Sequence, residues 1–186
     1  GARLVDPVGL YLDESTYAAS FQVMLHEFKI EMDEYFGRDD VVAEVIAYNA
    51  ANARDVMPWF GQSLLETANN SSLNADEYAA ALDAGRGEMQ RNLDAVFEKF
   101  NLDVIVAPTN GPAWPNDYVL GDHFSVSSSG LAAISGRPGI TLPAGQIQGL
   151  PIGITLVGKM WRDDKLLQVA HALEKRLPEA PRPKFL

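Results

Sequence analysis

The sequence predicts an α/β protein, a β-sheet flanked by helices, and three observations carry that reading. Apolar residues recur at three- and four-residue steps through the first hundred positions, the period of helices with one buried face. After Asn101 the pattern changes to β-branched runs separated by Gly and Pro turns. A last amphipathic stretch from Asp163 restores the helical period. With 186 residues, 47% of them hydrophobic, the chain can bury a sizeable core.

In order along the chain, Gly1 to Val8 reads as a short extended segment closed by Pro7. From Ser15 to Phe36, Tyr17, Phe21, Met24, Leu25, Phe28, Met32 and Tyr35 predict a helix with a buried stripe, ended by Gly37. A second helix is expected from Asp40 to Asn52 and a shorter one over Gln62 to Ala68, with Met57-Pro58-Trp59-Phe60-Gly61 as the break between them. Asn74 with Glu77 three residues on is a capping-box pattern. It opens a long helix whose stripe is Tyr78, Leu82, Met89, Leu93, Val96, Phe97 and Phe100. Gly85 and Gly87 within it predict close packing or a bend.

Strands are expected at Val104-Ile105-Val106, Ile140-Thr141-Leu142 and Ile152 to Val157. The first two are almost wholly apolar and far enough apart for a crossover helix, which suits a sheet buried on both faces. The closing helix, Asp163 to Leu177, is expected to bury Leu166, Leu167, Ala170, Leu173 and Leu177, with a stiff tail at Pro181, Pro183 and Phe185. The organisation read from this is a helical layer over 9–100, an α/β portion over 101–177 and a tail over 178–186.

Composition narrows the function. Twenty-five acidic against 15 basic residues leave a net charge of −10, so the surface repels phosphate, and neither nucleic acid nor an anionic membrane is an expected partner. Without cysteine there is no thiol nucleophile and no thiolate metal site, which fits a cytoplasmic protein. No run of about 18 apolar residues predicts a membrane span. His26, His123 and His171 share no ligand spacing, so no metal and no cofactor are expected. Gly145, Gly149 and Gly153 do not form a dinucleotide-binding loop. The neighbouring carboxylates Asp33/Glu34, Asp39/Asp40 and Asp163/Asp164 read as solvated helix ends.

Two segments remain as candidates for chemistry. Ser127-Ser128-Ser129-Gly130 reads as a helix cap or a binding wall, since a nucleophilic serine needs a proton acceptor beside it. Asp122-His123 lies close by in sequence, but adjacent residues rarely converge on one proton path. Trp59, Phe60 and Trp161 are expected in the core or at hinges. Trp114, in the rigid Gly111-Pro112-Ala113-Trp114-Pro115 loop beyond the carboxyl end of a strand, is expected on a site wall, where α/β sites open.

Several motifs share one order and spacing: the strand Asp103 to Thr109, the Ser127 to Gly136 segment, Arg137-Pro138-Gly139-Ile140-Thr141-Leu142-Pro143-Ala144-Gly145, and Gly149-Leu150-Pro151-Ile152-Gly153. Together they resemble the carboxy-terminal part of the amidase-signature family, serine hydrolases of carbon–nitrogen amide bonds. Met57 to Gln62, Pro108 to Trp114 and Gly121-Asp122-His123-Phe124 resemble the branch containing peptide amidases.

The resemblance implies part of the amidase-signature fold, a mixed β-sheet core flanked by helices. It also implies acyl transfer by a serine, a second serine on a cis peptide and a lysine, all expected upstream, so that no catalytic residue is assigned here. Thr109, Trp114, Asp122, His123, Ser128 and Ser129 are then expected to bind substrate. The implied partners are the amino-terminal half of the same enzyme and a small-molecule or peptide amide. The alternatives are a non-catalytic binding module and the amidase component of a glutamyl-tRNA amidotransferase.

Overall fold

The structure is a computed structural model and describes residues 1–10 and 13–179. The tail expected over 178–186 falls mostly outside the described residues. Two compact units are present, Asp13–Gly85 and Gly1–Leu12 with Arg86–Leu186.

The unit Asp13–Gly85 is helical. Its first helix, α1 (Glu14–Phe36), starts where the Asp13 side chain accepts from the Ser15 N–H at 3.2 Å. It stops at Gly37, whose φ of 65° is a conformation glycine adopts without a Cβ clash. Then follow α2 (Val41–Ala51), α3 (Ala53–Val56), α4 (Ser63–Asn69) and α5 (Ala75–Leu82). Asp33 is not merely a solvated helix end: its carboxylate accepts the Val41 N–H at 2.9 Å and so caps α2 from a distance. The capping box opening α5 is complete, with Asn74 accepting from the Asp76 and Glu77 N–H groups and Glu77 accepting from that of Asn74.

The helix expected from Asn74 to Phe100 is interrupted by a π-helical turn, Asp83–Gly87, before α6 (Glu88–Lys99). Gly85 shows why: a Cβ there would lie 2.9 Å from the Ser20 backbone nitrogen, so α1 passes too close for a side chain. The unit boundary falls inside this turn, and α6 belongs with the sheet.

One expectation is reversed. The apolar stripe of α1 is not buried: Tyr17, Phe21, Met24 and Phe28 are 37–53% exposed, whereas Thr16 and Val23 are buried. The face turned to α4 and α5 is the one with small and polar side chains, with Lys29 donating to the Asn69 carbonyl and Tyr78 to Glu27. Periodicity defines an apolar face but not what covers it.

In the other unit, β1 (Val104–Pro108), α7 (Ser129–Ser135), β2 (Gly139–Ile147), β3 (Leu150–Gly158) and α8 (Asp163–Glu174) follow α6. The strand order is β1-β3-β2, each adjacent pair antiparallel. A tight hairpin at Gln148-Gly149, both at positive φ, joins β2 to β3.

Both faces of the sheet are packed at β3. On one face Leu156 and Leu142 meet Leu166 and Ala170 of α8, and on the other Val157 meets Met89, Leu93 and Phe97 of α6 and Leu131 of α7. The flanking strand β1 is less covered, with Val106 46% exposed. Leu167, expected inside, is 58% exposed, because α8 turns to the sheet the side carrying Leu166, Val169, Ala170 and Leu173. Trp59, Phe60 and Trp161, expected in the core or at hinges, are 66%, 73% and 87% exposed, so none of them lies in the core.

Candidate functional site

Side chains alternate across β3, so the face that is apolar at Val157 turns polar two residues earlier at Thr155. Register does the rest. Ala107, Thr155 and Thr141 lie side by side across the three strands, and the chain continues from β1 to Thr109, whose N–H donates to the Gly153 carbonyl at 2.9 Å. Three hydroxyls thereby form a row: Thr109 Oγ1 to Thr155 Oγ1 at 2.7 Å and Thr155 Oγ1 to Thr141 Oγ1 at 2.9 Å. The gap that admits Thr109 exists because residue 153 is glycine; a Cβ there would be 2.8 Å from Thr109 Oγ1.

From Thr109 the chain enters a long loop whose two ends are tied together. Asn110 bridges Ser127, the Gly111 N–H donates to the Val126 carbonyl at 3.1 Å, and the Ser128 N–H donates to the Thr109 carbonyl at 3.1 Å. This closed base brings two predicted residues, Thr109 and Ser128, together. Ser128 is buried and its hydroxyl faces the same Thr109 carbonyl at 3.5 Å. It makes no side-chain cap to α7. Ser127 takes that part instead, its Oγ accepting from the Ser129 N–H at 3.3 Å and lying 3.0 Å from Ser129 Oγ.

The arm of the loop holds the other predicted residues in two pairs. The Trp114 indole N–H donates to Asp122 Oδ1 at 3.3 Å, and the Trp114 ring meets Phe124 edge to face at 6.5 Å. His123 turns Nε2 to Asp117 Oδ2 at 3.2 Å, not to the neighbouring Asp122. The Leu120 and Val119 N–H groups, and then His123, hold the Asp117 carboxyl below the ordinary carboxylate range.

Chemically the arrangement offers hydroxyls, carboxylates and aromatic faces for binding. The serine hydroxyls bond one another and the backbone. The lysine contacts lie elsewhere: Lys29 with Asn69, Lys165 with Asp103, Lys99 and Lys159 over the Phe100 and Phe97 rings. Among the described residues no cluster of three or more His, Asp or Glu could hold a metal ion, and no helix is long and apolar enough to cross a membrane.

Sequence reasoning missed Thr141, Thr155 and Asp117. A signal for the threonines was present: Gly139-Ile140-Thr141-Leu142 and Gly153-Ile154-Thr155-Leu156 are the same tetrapeptide, and antiparallel pairing sets threonine against threonine.

The fold is an α/β domain, a three-stranded antiparallel sheet with helices packed on both faces. The family model for Amidase matches residues 5–167. The chain belongs to the amidase family.

Its relatives are enzymes by name. It is 28% identical over 185 residues to mandelamide hydrolase of Pseudomonas putida, covering 91% of this chain and 36% of that protein. A component of the glutamyl-tRNA(Gln) amidotransferase of a Geobacillus strain is 28% identical over 146 residues, covering 69% of this chain and 30% of that one. Among solved structures, the native peptide amidase of Stenotrophomonas maltophilia superposes with a TM-score of 0.76 at 35% identity, over 91% of this chain and 35% of that chain. The chain thus spans about a third of the length of the relatives it matches.

Proposed function

We propose that this chain is the carboxy-terminal part of an amidase that hydrolyses carbon–nitrogen amide bonds, and that it contributes a wall of the substrate pocket. The observation that carries the reading is the family match over residues 5–167, together with a closed-base loop leaving β1 at Thr109. Thr109, Trp114, Asp122, His123, Ser128 and Ser129 are the proposed substrate-binding residues.

The nucleophilic serine, its cis-peptide serine partner and the lysine are proposed to come from an amino-terminal part of the same enzyme. A lysine acting as base must be held neutral by burial or hydrogen bonding, and Lys29 and Lys165 are instead engaged by a carbonyl and a carboxylate. That amino-terminal part is also the proposed cover for the α1 stripe Tyr17, Phe21, Met24 and Phe28, since contiguous apolar surface of this kind is a mark of an interface. The cytoplasm is the proposed compartment, as a chain without cysteine needs no oxidising environment.

The glutamyl-tRNA amidotransferase relative favours a second reading, an aminoacyl-tRNA substrate. A net charge of −10 weighs against it, because phosphate would be repelled.

The test is ammonia release from peptide amides and small carboxamides. The purified 1–186 chain is expected to release none. Joined to an amino-terminal part carrying a lysine and a Gly/Ser-rich segment, it should hydrolyse them, with Trp114→Ala and His123→Ala raising KM more than they lower kcat. Ammonia release by 1–186 alone, abolished in Ser129→Ala, would overturn the assignment of roles. A joined protein without turnover would favour the binding module.

A further inference from the structure

The loop between Thr109 and Gly130 contains no lysine or arginine. Its charged side chains are Asp117 and Asp122, each already fixed in place, one by the Leu120 and Val119 N–H groups and the other by the Trp114 indole. His123 presents Nε2 to Asp117. A carboxylate can only accept, so this nitrogen is the donor. What the charged groups of the loop offer a ligand is therefore hydrogen-bond acceptors carrying negative charge, beside hydroxyl and amide groups that donate or accept and aromatic surface on Trp114 and on Phe124, which is 64% exposed.

This combination discriminates by charge. A carboxamide NH2 or an ammonium brings donors to those acceptors, whereas a carboxylate or phosphate brings acceptors and like charge. An aryl or arylalkyl group can cover the Trp114 and Phe124 rings. We infer that the loop selects aromatic carboxamides that are neutral or carry an amine, and rejects anionic ones. This rests on the reading of the loop as a pocket wall. By the same charge argument, a polyphosphate substrate such as tRNA is disfavoured at this loop.

The experiment uses the full chain labelled with 15N-tryptophan. Three tryptophans give three indole signals, with Trp114 assigned by Trp114→Phe or, should that variant not fold, by its through-space contact with the Phe124 ring. N-acetylphenylalaninamide, phenylalaninamide, N-succinylphenylalaninamide and N-acetylglycinamide are titrated in turn. Trp59 and Trp161, both largely exposed, control for non-specific contact.

The Trp114 signal is expected to shift with the two uncharged-or-cationic aromatic amides and least with the glycinamide. The succinyl compound should bind roughly three- to tenfold more weakly than N-acetylphenylalaninamide at low salt, with the gap narrowing as salt is raised, the size expected of two exposed like charges within about a Debye length. Equal or tighter binding of the succinyl compound would overturn the substrate class and leave the wall reading standing. Trp114 unmoved by every amide would overturn the wall reading, and this inference with it.

Discussion

Replacing Thr155 by valine tests the hydroxyl row that anchors the candidate loop. The two side chains have nearly the same shape, and Thr155 is only 7% exposed, so the change removes an oxygen without opening a cavity. Two hydrogen bonds are lost, at 2.7 Å to Thr109 and 2.9 Å to Thr141. Each contributes about 0.5–1.5 kcal/mol net. Thr141 is exposed and can turn to water, so its bond counts at the low end. Thr109 is partly buried and its loss counts at the high end. Up to about 0.8 kcal/mol returns from the extra buried methyl. The expected net cost is about 1 kcal/mol.

Urea unfolding followed through amide signals of β3 reports on the unit that holds the sheet. With a slope of about 1–3 kcal/mol per molar, the midpoint should fall by roughly 0.3–1 M. A double-mutant cycle with Thr109→Val should show a coupling of at least about 0.5 kcal/mol, as expected for directly bonded residues. Additivity of the two substitutions to within about 0.3 kcal/mol would refute the row as an energetic unit.

Two further predictions concern the same region. Gly153→Ala puts a Cβ 2.8 Å from Thr109 Oγ1 and 2.9 Å from Thr141 Cγ2; overpacking of this kind costs about 1–3 kcal/mol, and an unchanged unfolding midpoint would contradict the packing described. Asp117 titrates below its ordinary range because the folded loop bonds its charged form. The stabilisation it lends is then present above the unfolded carboxylate pKa of about 3.9 and lost as pH falls through the lower folded value. The Leu120 amide shift should accordingly change below about pH 4, and should be insensitive to acid in that range in Asp117→Asn. A wild-type midpoint at or above the ordinary carboxylate value would remove the turn from the account.

Local chemistry in the sequence determined the helix ends. Gly37 stops α1 and the Asn74/Glu77 pair starts α5, because capping satisfies backbone groups with residues a few positions away. The β-branched runs marked the three strands, and Gly85 marked the place where the long helix could not continue unchanged. The motif order from Asp103 to Gly153 pointed to the amidase family. Within the candidate loop, the resemblance together with loop position pointed to Thr109 and Ser128, and these two meet at its base.

Only the tertiary structure decided the rest, because in each instance the missing quantity was which partner a residue meets. Strand β3 inserts between β1 and β2, which aligns Thr155 with Thr141 and brings Thr109 beside them; no spacing along the chain encodes that register. His123 turns to Asp117, six positions earlier, instead of to the adjacent Asp122, and the side chain of Asp122 is held by the Trp114 indole. The stripe on α1 shows the same limit from the other side. Its period predicted an apolar face correctly, but burial is a property of two surfaces, and one helix's sequence describes only one of them.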